Sequence, residues 1–437
     1  MSWGKMDVAI DGLGRENTEI VALLHDNFQQ CSSRIQEENA TPLKLGLFAV
    51  RIDETVARAL MDMVTHPQTS LCWKQIGFCR SHGPSAHRIL LVAIKSCQTL
   101  QLTDCLLSEK SLTTSFAALP LTTQLQTLRL VEMRMTESSM IALARGLALN
   151  TSLREIDLRM TKFPKASISA LATGLRGRVR QSLQVLNLRF CDLDDEALSL
   201  LLDGLQQNSS LLELYLRGNY CRNQTMKHLA LLLQSPSRLS TLDISRQRPQ
   251  PPQDRLDISN LANSLRTNKT LKLLDLLDNR LTDMDLQLCA EALKTNKSLE
   301  HLIISGDQSF GILGANALSH TLHQFNTSIQ RLVIPSHKLE LRAIHRQITF
   351  LANVNRAGRR LYFQPNAGGS QIPLGLWPLV LERITKTIDW GATGRRWSRP
   401  NLMATKNGDT ERASILYVML TESPALFHWT NHAILSK

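Results

Sequence analysis

The feature that most restricts the fold of this chain is a leucine pattern that returns after about 28 residues. Its clearest copy reads L-x-x-L-x-L-x-x-N-x-L and consists of Leu271, Leu274, Leu276, Asn279 and Leu281. Further copies open near Pro42, Leu71, Cys97, Leu125, Leu153, Leu183, Leu211, Leu239, Leu299 and Ile329. Openings at such regular steps predict one long repeat array rather than several unrelated domains.

The spacing inside each copy predicts a strand followed by a helix. We number positions from the opening residue, so positions four and six lie two residues apart on one face of a strand. The second half of the copy places Leu286, Ala290 and Leu293 at helical spacing. No single copy can bury its apolar face alone, so neighbouring copies must stack. The sequence therefore predicts an α/β solenoid.

This long repeat with a true helix resembles the ribonuclease-inhibitor-like class of leucine-rich-repeat proteins. The resemblance covers residues 42–338, about 10 to 11 units. It implies a horseshoe with parallel strands on the concave face and helices on the convex face. The resemblance concerns the fold and carries no function with it.

The array is predicted to lie between two different ends. Residues 1–41 are interpreted as a helical N-terminal cap, because Ile20, Leu24 and Phe28 have helical spacing among polar residues and open solenoid ends need such cover. Residues 339–437 are predicted to be a basic, helical and partly disordered segment, with one helix from Leu341 to Asn355. Residues 391–408 are its expected disordered part.

Short pieces of the C-terminal segment resemble a large set of leucine-rich-repeat proteins in diatoms. The matching pieces are 355–361, Leu376 to Pro378, Leu381 to Arg383, Ala413 to Leu416 and Pro424 to Phe427. The resemblance implies an expanded family without an assigned chemistry.

Two sets of repeated polar residues are interpreted as structural. Position nine holds Cys79, Cys105, Met133, Thr161, Cys191, Asn219 and Asn279, which are expected to serve the turn backbone from inside. Five N-x-S/T triplets, at Asn150, Asn208, Asn268, Asn296 and Asn326, each precede an opening by three residues. They are interpreted as helix-to-strand turns with left-handed asparagines, not as glycosylation sites.

No motif in the chain predicts catalysis. It contains no phosphate-binding glycine loop, no zinc or redox C-x-x-C pair and no hydrolase signature. We therefore expect no enzyme activity, no cofactor and no metal site. The chain contains no run of 18 apolar residues, so no membrane span is predicted. The eight cysteines show no disulfide spacing, so a reducing cytoplasmic location is expected.

The candidate site lies at positions five and seven, which point away from the core. Its predicted partner-binding residues are Arg129, Asp157, Arg159, Asn187, Arg189, Tyr215, Arg217, Asp243 and Asp275. Arg159, Arg189 and Arg217 share one column in consecutive units, which favours an acidic partner. The alternative is that Asp157, Glu155 and Glu213 neutralise this column locally.

Three functions are compatible with these features. The preferred hypothesis is a non-catalytic scaffold that binds a protein on the concave face. A second is regulation of an enzyme, since Ran GTPase-activating proteins use this repeat class, although they carry an acidic tail and this tail is basic. A third is nucleic-acid binding through the basic C-terminal segment, where Trp390 and Trp397 could stack on bases, although no recognised reading module supports it.

Overall fold

The structure, a computed structural model, describes residues 7–35, 42–67, 73–176, 182–248, 256–304, 310–334 and 339–356. Within these ranges, twelve parallel strands form one open sheet in the order of the sequence. The strands are β1 Val8–Asp11, β2 Leu43–Phe48, β3 Trp73–Cys79, β4 Thr99–Thr103, β5 Thr127–Val131, β6 Glu155–Asp157, β7 Val185–Asn187, β8 Glu213–Tyr215, β9 Thr241–Asp243, β10 Leu273–Asp275, β11 His301–Ile303 and β12 Arg331–Val333.

Twelve α-helices alternate with these strands in the part of the chain that the structure describes. They are α1 Asn17–Ile35, α2 Glu54–Thr65, α3 Ala86–Ser96, α4 Glu109–Ala117, α5 Glu137–Leu149, α6 Ile168–Leu175, α7 Asp195–Leu205, α8 Asn223–Gln234, α9 Ser259–Leu265, α10 Asp283–Thr295, α11 Ile312–Gln324 and α12 Arg342–Arg356. The predicted strand–helix repeat is confirmed. From Cys97 onward, each predicted opening lies two residues before a strand.

The repeat register differs from the prediction in the unit before Cys97. Ile76 of β3 is the register partner of Leu100, so it occupies position four, and this unit opens at Trp73 rather than Leu71. Lys74 consequently occupies position two, where the repeat has no core leucine, and its side chain is exposed. Cys79 pairs with Thr103, so the assignment of Cys79 to position nine is wrong. Strand register sets which face a side chain occupies. It cannot be read from one repeat copy that departs from the leucine pattern.

The N-terminal region contains a strand as well as the predicted helix. β1 pairs in parallel with β2, with Val8 opposite Leu45 and Ile10 opposite Leu47. The predicted helix is α1, in which Ile20 and Leu24 are buried. The sequence analysis missed β1 because its four residues are too short to carry a repeat pattern.

The chain divides into two compact units. Unit 1 comprises Met1–Ser264 and Leu273–Asn279, and unit 2 comprises Leu265–Lys272 and Arg280–Lys437. Each unit contains an aspartate that caps the next helix along the chain. In unit 1, Asp195 accepts hydrogen bonds from the backbone of Arg222 and Thr225 at the start of α8 (2.8 and 2.9 Å). In unit 2, Asp283 accepts from Gly311 and Gly314 at the start of α11.

The asparagines of the N-x-S/T triplets form buried turns, as expected, but in a different conformation. The Asn150 side chain accepts from the amides of Ser152 and Leu153 and donates to the Leu119 carbonyl (3.0, 2.7 and 2.6 Å). The predicted left-handed geometry is wrong, because Asn150 is extended, with φ −77° and ψ 137°. The side chain, rather than a left-handed backbone, makes this turn.

The left-handed backbone occurs instead at position eight, one to three residues after the end of strands β2 to β10. In unit 1 it is adopted by Ala49, Arg80, Asp104, Glu132, Met160, Phe190, Gly218, Arg246 and Asp278. Glycine is required at only one of these positions, because a Cβ on Gly218 would lie 2.2 Å from the Phe190 ring. The repeat therefore imposes a strained conformation on many residue types, and stacking must offset the cost.

Position nine performs the predicted structural role. In unit 1 its side chains donate to the position-six carbonyl of the preceding repeat. The donors are Cys105, Thr161, Cys191, Asn219, Gln247 and Asn279. We call this set the interior row. Gln247 also belongs to the interior row, although the sequence pattern did not predict it.

The C-terminal prediction is described only in part. The helix expected from Leu341 to Asn355 is α12, preceded by a short 3-10 turn at Leu339–Leu341. The remaining C-terminal predictions, including 391–408 and most pieces of the diatom resemblance, lie outside the described residues. Residues 177–181 and 249–255 also lie outside the described residues. The boundaries 1–41, 42–338 and 339–437 stay predictions.

Candidate functional site

The nine predicted partner-binding residues all lie on strands β5 to β10 of unit 1, or directly after them. We call the strand face that carries positions three, five and seven the open face. At position five, a continuous row of register partners crosses six adjacent strands. The row consists of Arg129, Asp157, Asn187, Tyr215, Asp243 and Asp275. We call it the open-face row, and Arg159, Arg189 and Arg217 follow it at position seven.

The aspartates and asparagine of the open-face row first bind their own backbone. In each, Oδ1 accepts a hydrogen bond from the amide two residues later. The pairs are Asp157 with Arg159, Asn187 with Arg189, Asp243 with Ser245, and Asp275 with Leu277 (3.2, 3.2, 3.0 and 2.9 Å). These short polar residues therefore have a turn-forming role in addition to any contact with a partner.

Two predicted residues form ion pairs at the β5–β6 end of the row. Arg129 Nη2 lies 3.0 Å from Glu155 Oε1, and Arg159 Nε lies 3.3 Å from Asp157 Oδ2. Burial raises the pKa of Asp157 above its ordinary value, although Arg159 and the backbone amide act in the opposite direction. Arg129 and Arg159 are thus already neutralised by side chains of the same face.

A tighter cluster forms around Asp243, which is 1% exposed. Arg189 reaches across β8 and donates to Asp243 Oδ2 from both Nε and Nη2 (2.9 and 2.7 Å). Its guanidinium also lies 4.2 Å from the centre of the Tyr215 ring. Ser245 Oγ donates to the other Asp243 oxygen at 2.6 Å. A bidentate arginine on a buried carboxylate is a strong, geometrically defined interaction.

The Tyr215 hydroxyl donates to Glu213 at position three of the same strand. Burial and the Glu213 carboxylate raise the pKa of Tyr215, so the phenol stays protonated near neutral pH. Glu213 therefore binds the tyrosine rather than an arginine. The ring of Tyr215 separates Arg189 from solvent on one side and helps to orient it toward Asp243.

Arg217 differs from the other two arginines of its column. Among the described residues its side chain forms no hydrogen bond or ion pair, and its Nε is buried without an acceptor. Burial, and then the charge of Arg246, lower its pKa from the ordinary arginine value. The nearest aromatic face is that of Phe190, 5.9 Å from the guanidinium carbon. Arg217 is thus a half-buried cation that has no counter-ion among the described residues.

Asp275 is the last member of the open-face row and lies on the strand next to that of Asp243. It is 7% exposed, and burial followed by the Asp243 charge raises its pKa to about 6. Arg217 and Arg189 act in the opposite direction without cancelling these effects. Two carboxylates on adjacent strands therefore share one site, and the second ionises only near neutral pH.

The prediction of local neutralisation is correct in part. Asp157 pairs with Arg159 as expected, but Glu155 pairs with Arg129 and Glu213 with Tyr215. Asp243, which is a predicted partner-binding residue, is the counter-ion of Arg189. Both side chains lie on one face two strands apart, and no sequence signal indicated that they would pair. Ser245 and Phe190, which complete the cluster, carried no distinct sequence signal.

The described residues offer no evident reactive centre. No group of three or more His, Cys, Asp or Glu within them could hold a metal ion. The six described cysteines are free and buried, and burial raises the pKa of Cys97 to about 12 and that of Cys105 to about 11. Such thiols are protonated and behave as small core residues. The expected absence of catalysis, cofactor and metal stays a prediction.

Comparison with known proteins adds a likeness but no assignment. No family model matches the chain, and no curated protein matches its sequence. Among solved structures, the chain is similar to leiomodin-1 actin-binding site 2, with 13% identity and a TM-score of 0.22. That match covers 56% of this chain and 90% of the other. Within the described ranges, no helix has the length and apolar character needed to cross a membrane.

Proposed function

We propose that this protein is a non-catalytic scaffold that binds another protein on the open face of unit 1. The observation that carries the proposal is the open-face row, where charged, amide and aromatic side chains occupy direct register positions on adjacent strands. Regular strands hold these groups rigidly, which lowers the entropy lost on binding. Arginine and tyrosine are also the residue types enriched among energetically dominant interface contacts.

The ion pairs on this face favour a protein over nucleic acid as the partner. Arg129, Arg159 and Arg189 are each bound to a carboxylate, so the face carries paired charges rather than a positive stripe. Nucleic-acid binding needs cations that are free to neutralise successive phosphates. Nucleic-acid binding through the basic C-terminal segment and regulation of an enzyme remain alternative functions. The cytoplasmic location stays a prediction.

Site-specific photo-crosslinking in cells tests the proposal. A photoreactive residue is placed at Leu277 on the open face, with Leu231, a half-exposed residue of α8, as the matched control in the same unit. We expect a discrete crosslinked protein from Leu277 and not from Leu231.

The captured protein is then purified and its affinity is measured for wild type, Tyr215→Ala and Leu231→Ala. Truncation of a buried interface tyrosine should weaken binding by about tenfold or more. The proposal fails if crosslinks come only from α8, or if Tyr215→Ala and Leu231→Ala bind equally well.

A further inference from the structure

We propose that Arg217 is the docking point for a single carboxylate in an acidic segment of the partner protein. This inference rests on the proposed function and names the partner chemistry of the same face. Its basis is that Arg217, alone in its column, has no acidic partner among the described residues. Placing a cation in a half-buried site without a counter-ion is unfavourable, and an incoming anion would relieve that cost.

The cations and anions around Arg217 are already committed to other groups. Asp243 accepts both guanidinium hydrogen bonds from Arg189, and Arg246 Nε lies 2.8 Å from Asp278 Oδ2. Asp275 binds its own backbone through Oδ1 and forms no ion pair with Arg217 in the described structure. Arg217 therefore keeps guanidinium N–H groups that donate to no described residue and are left for a ligand.

The neighbouring charges favour a carboxylate over a phosphate. Asp243 and Asp275 lie on the two strands that follow Arg217, and both act on it electrostatically. A phosphate with nearly two negative charges would be repelled by both carboxylates more strongly than a carboxylate with one. The Phe190 ring beside Arg217 offers apolar contact to the methylene groups of a glutamate side chain.

Asp275 gives the site a pH dependence that a merely structural arginine would not have. The charged groups acting on Asp275 are Asp243, which raises its pKa, and Arg217 and Arg189, which lower it, with burial giving a pKa of about 6. Below that pH, Asp275 becomes neutral and no longer competes with an incoming carboxylate for the positive charge of Arg217. A glutamate in solution, with a pKa of about 4.3, is still ionised there, so binding should strengthen.

A site-resolved crosslinking experiment on the full chain tests this inference. The probe is an octaglutamate peptide with a benzophenone group, with octaglutamine as the neutral control, and adducts are mapped by mass spectrometry. We expect octaglutamate adducts in the strand segments around residues 213–220 and 243–248. Arg217→Gln should reduce their yield about tenfold, the loss of one charge-assisted hydrogen-bonded pair.

The matched control is Arg58→Gln, which changes an exposed arginine of α2 in the same unit that is already paired with Glu54. It should leave those adducts within about twofold of wild type. The yield should rise as the pH falls through about 6, and Asp275→Asn should abolish this rise. Mapping the adducts separates this site from any binding of the probe to the basic C-terminal segment.

Three outcomes would overturn the inference: adducts that Arg217→Gln does not change, equal loss with Arg58→Gln, or equal competition by an octapeptide of phosphoserine. The last result would point to phosphate recognition. If the captured partner loses affinity with Tyr215→Ala but not with Arg217→Gln, the scaffold proposal stands and the carboxylate inference fails. If no partner crosslinks from the open face while octaglutamate labels it through Arg217, the scaffold proposal fails and the carboxylate site remains.

Discussion

The interior row and the open-face row of unit 1 each place polar side chains, most of them buried, at one position of six repeats, but they use their hydrogen bonds differently. In the interior row, threonine, cysteine, asparagine and glutamine all donate to the same carbonyl of the preceding repeat. In the open-face row, one carboxylate oxygen binds the local backbone and the other is left for a second side chain, as Asp243 binds Arg189. Spare hydrogen-bonding capacity, rather than burial, distinguishes the open-face row from the interior row.

The largest expected effect belongs to the interior row. Asn219 is fully buried, donates to the Leu188 and Leu216 carbonyls and accepts from the Cys191 and Leu193 amides. Asn219→Ala leaves these groups unsatisfied and should lower the free energy of unfolding by about 3 kcal/mol or more. Urea denaturation followed by circular dichroism measures it. A loss below about 1 kcal/mol would mean that water replaces the side chain.

The next largest change in stability is expected at Arg189, which we compare with Arg217 of the same column. Arg189→Gln leaves the buried Asp243 carboxylate without its bidentate partner and should destabilise the protein by about 2 to 3 kcal/mol. Arg217→Gln removes an unpaired, half-buried charge and should change stability by about 0.5 kcal/mol or less, or raise it. Parallel urea titrations give both values. Equal losses would contradict the distinction between a paired and an unpaired arginine.

The smallest effect concerns Asp275, whose pKa is raised. The folded protein holds this proton more tightly than the unfolded chain, so this group lowers the free energy of unfolding as pH rises from about 4 to about 6. Asp275→Asn keeps an oxygen for the Leu277 amide and should stabilise the protein by about 1 to 2 kcal/mol above pH 6.

Comparing urea midpoints of wild type and Asp275→Asn across this pH range checks the sign. The difference should nearly vanish at about pH 4, below which the carboxyl is protonated in both states. A constant difference at every pH would show that the carboxylate charge is not the cause.

The leucine spacing was sufficient to predict the repeat, the strand positions and the helices, because the same apolar packing positions recur in every unit. The structural interpretation of Asn150 and its equivalents was also correct, since their placement before each opening is periodic. The left-handed geometry assigned to them was wrong, because an asparagine side chain can form the turn while its backbone stays extended. Cys79 was misplaced because a degenerate unit does not reveal its register.

From Cys97 onward, the sequence by itself determined which residues face the core and which occupy the open face, because strand alternation and the repeat period are local properties. Only the tertiary structure decided how the open-face charges pair. Arg189 finds Asp243 two strands away, while Arg217 finds no counter-ion among the described residues. Such pairings depend on the spacing of neighbouring strands and on side-chain rotamers, neither of which the order of residues within a single repeat specifies.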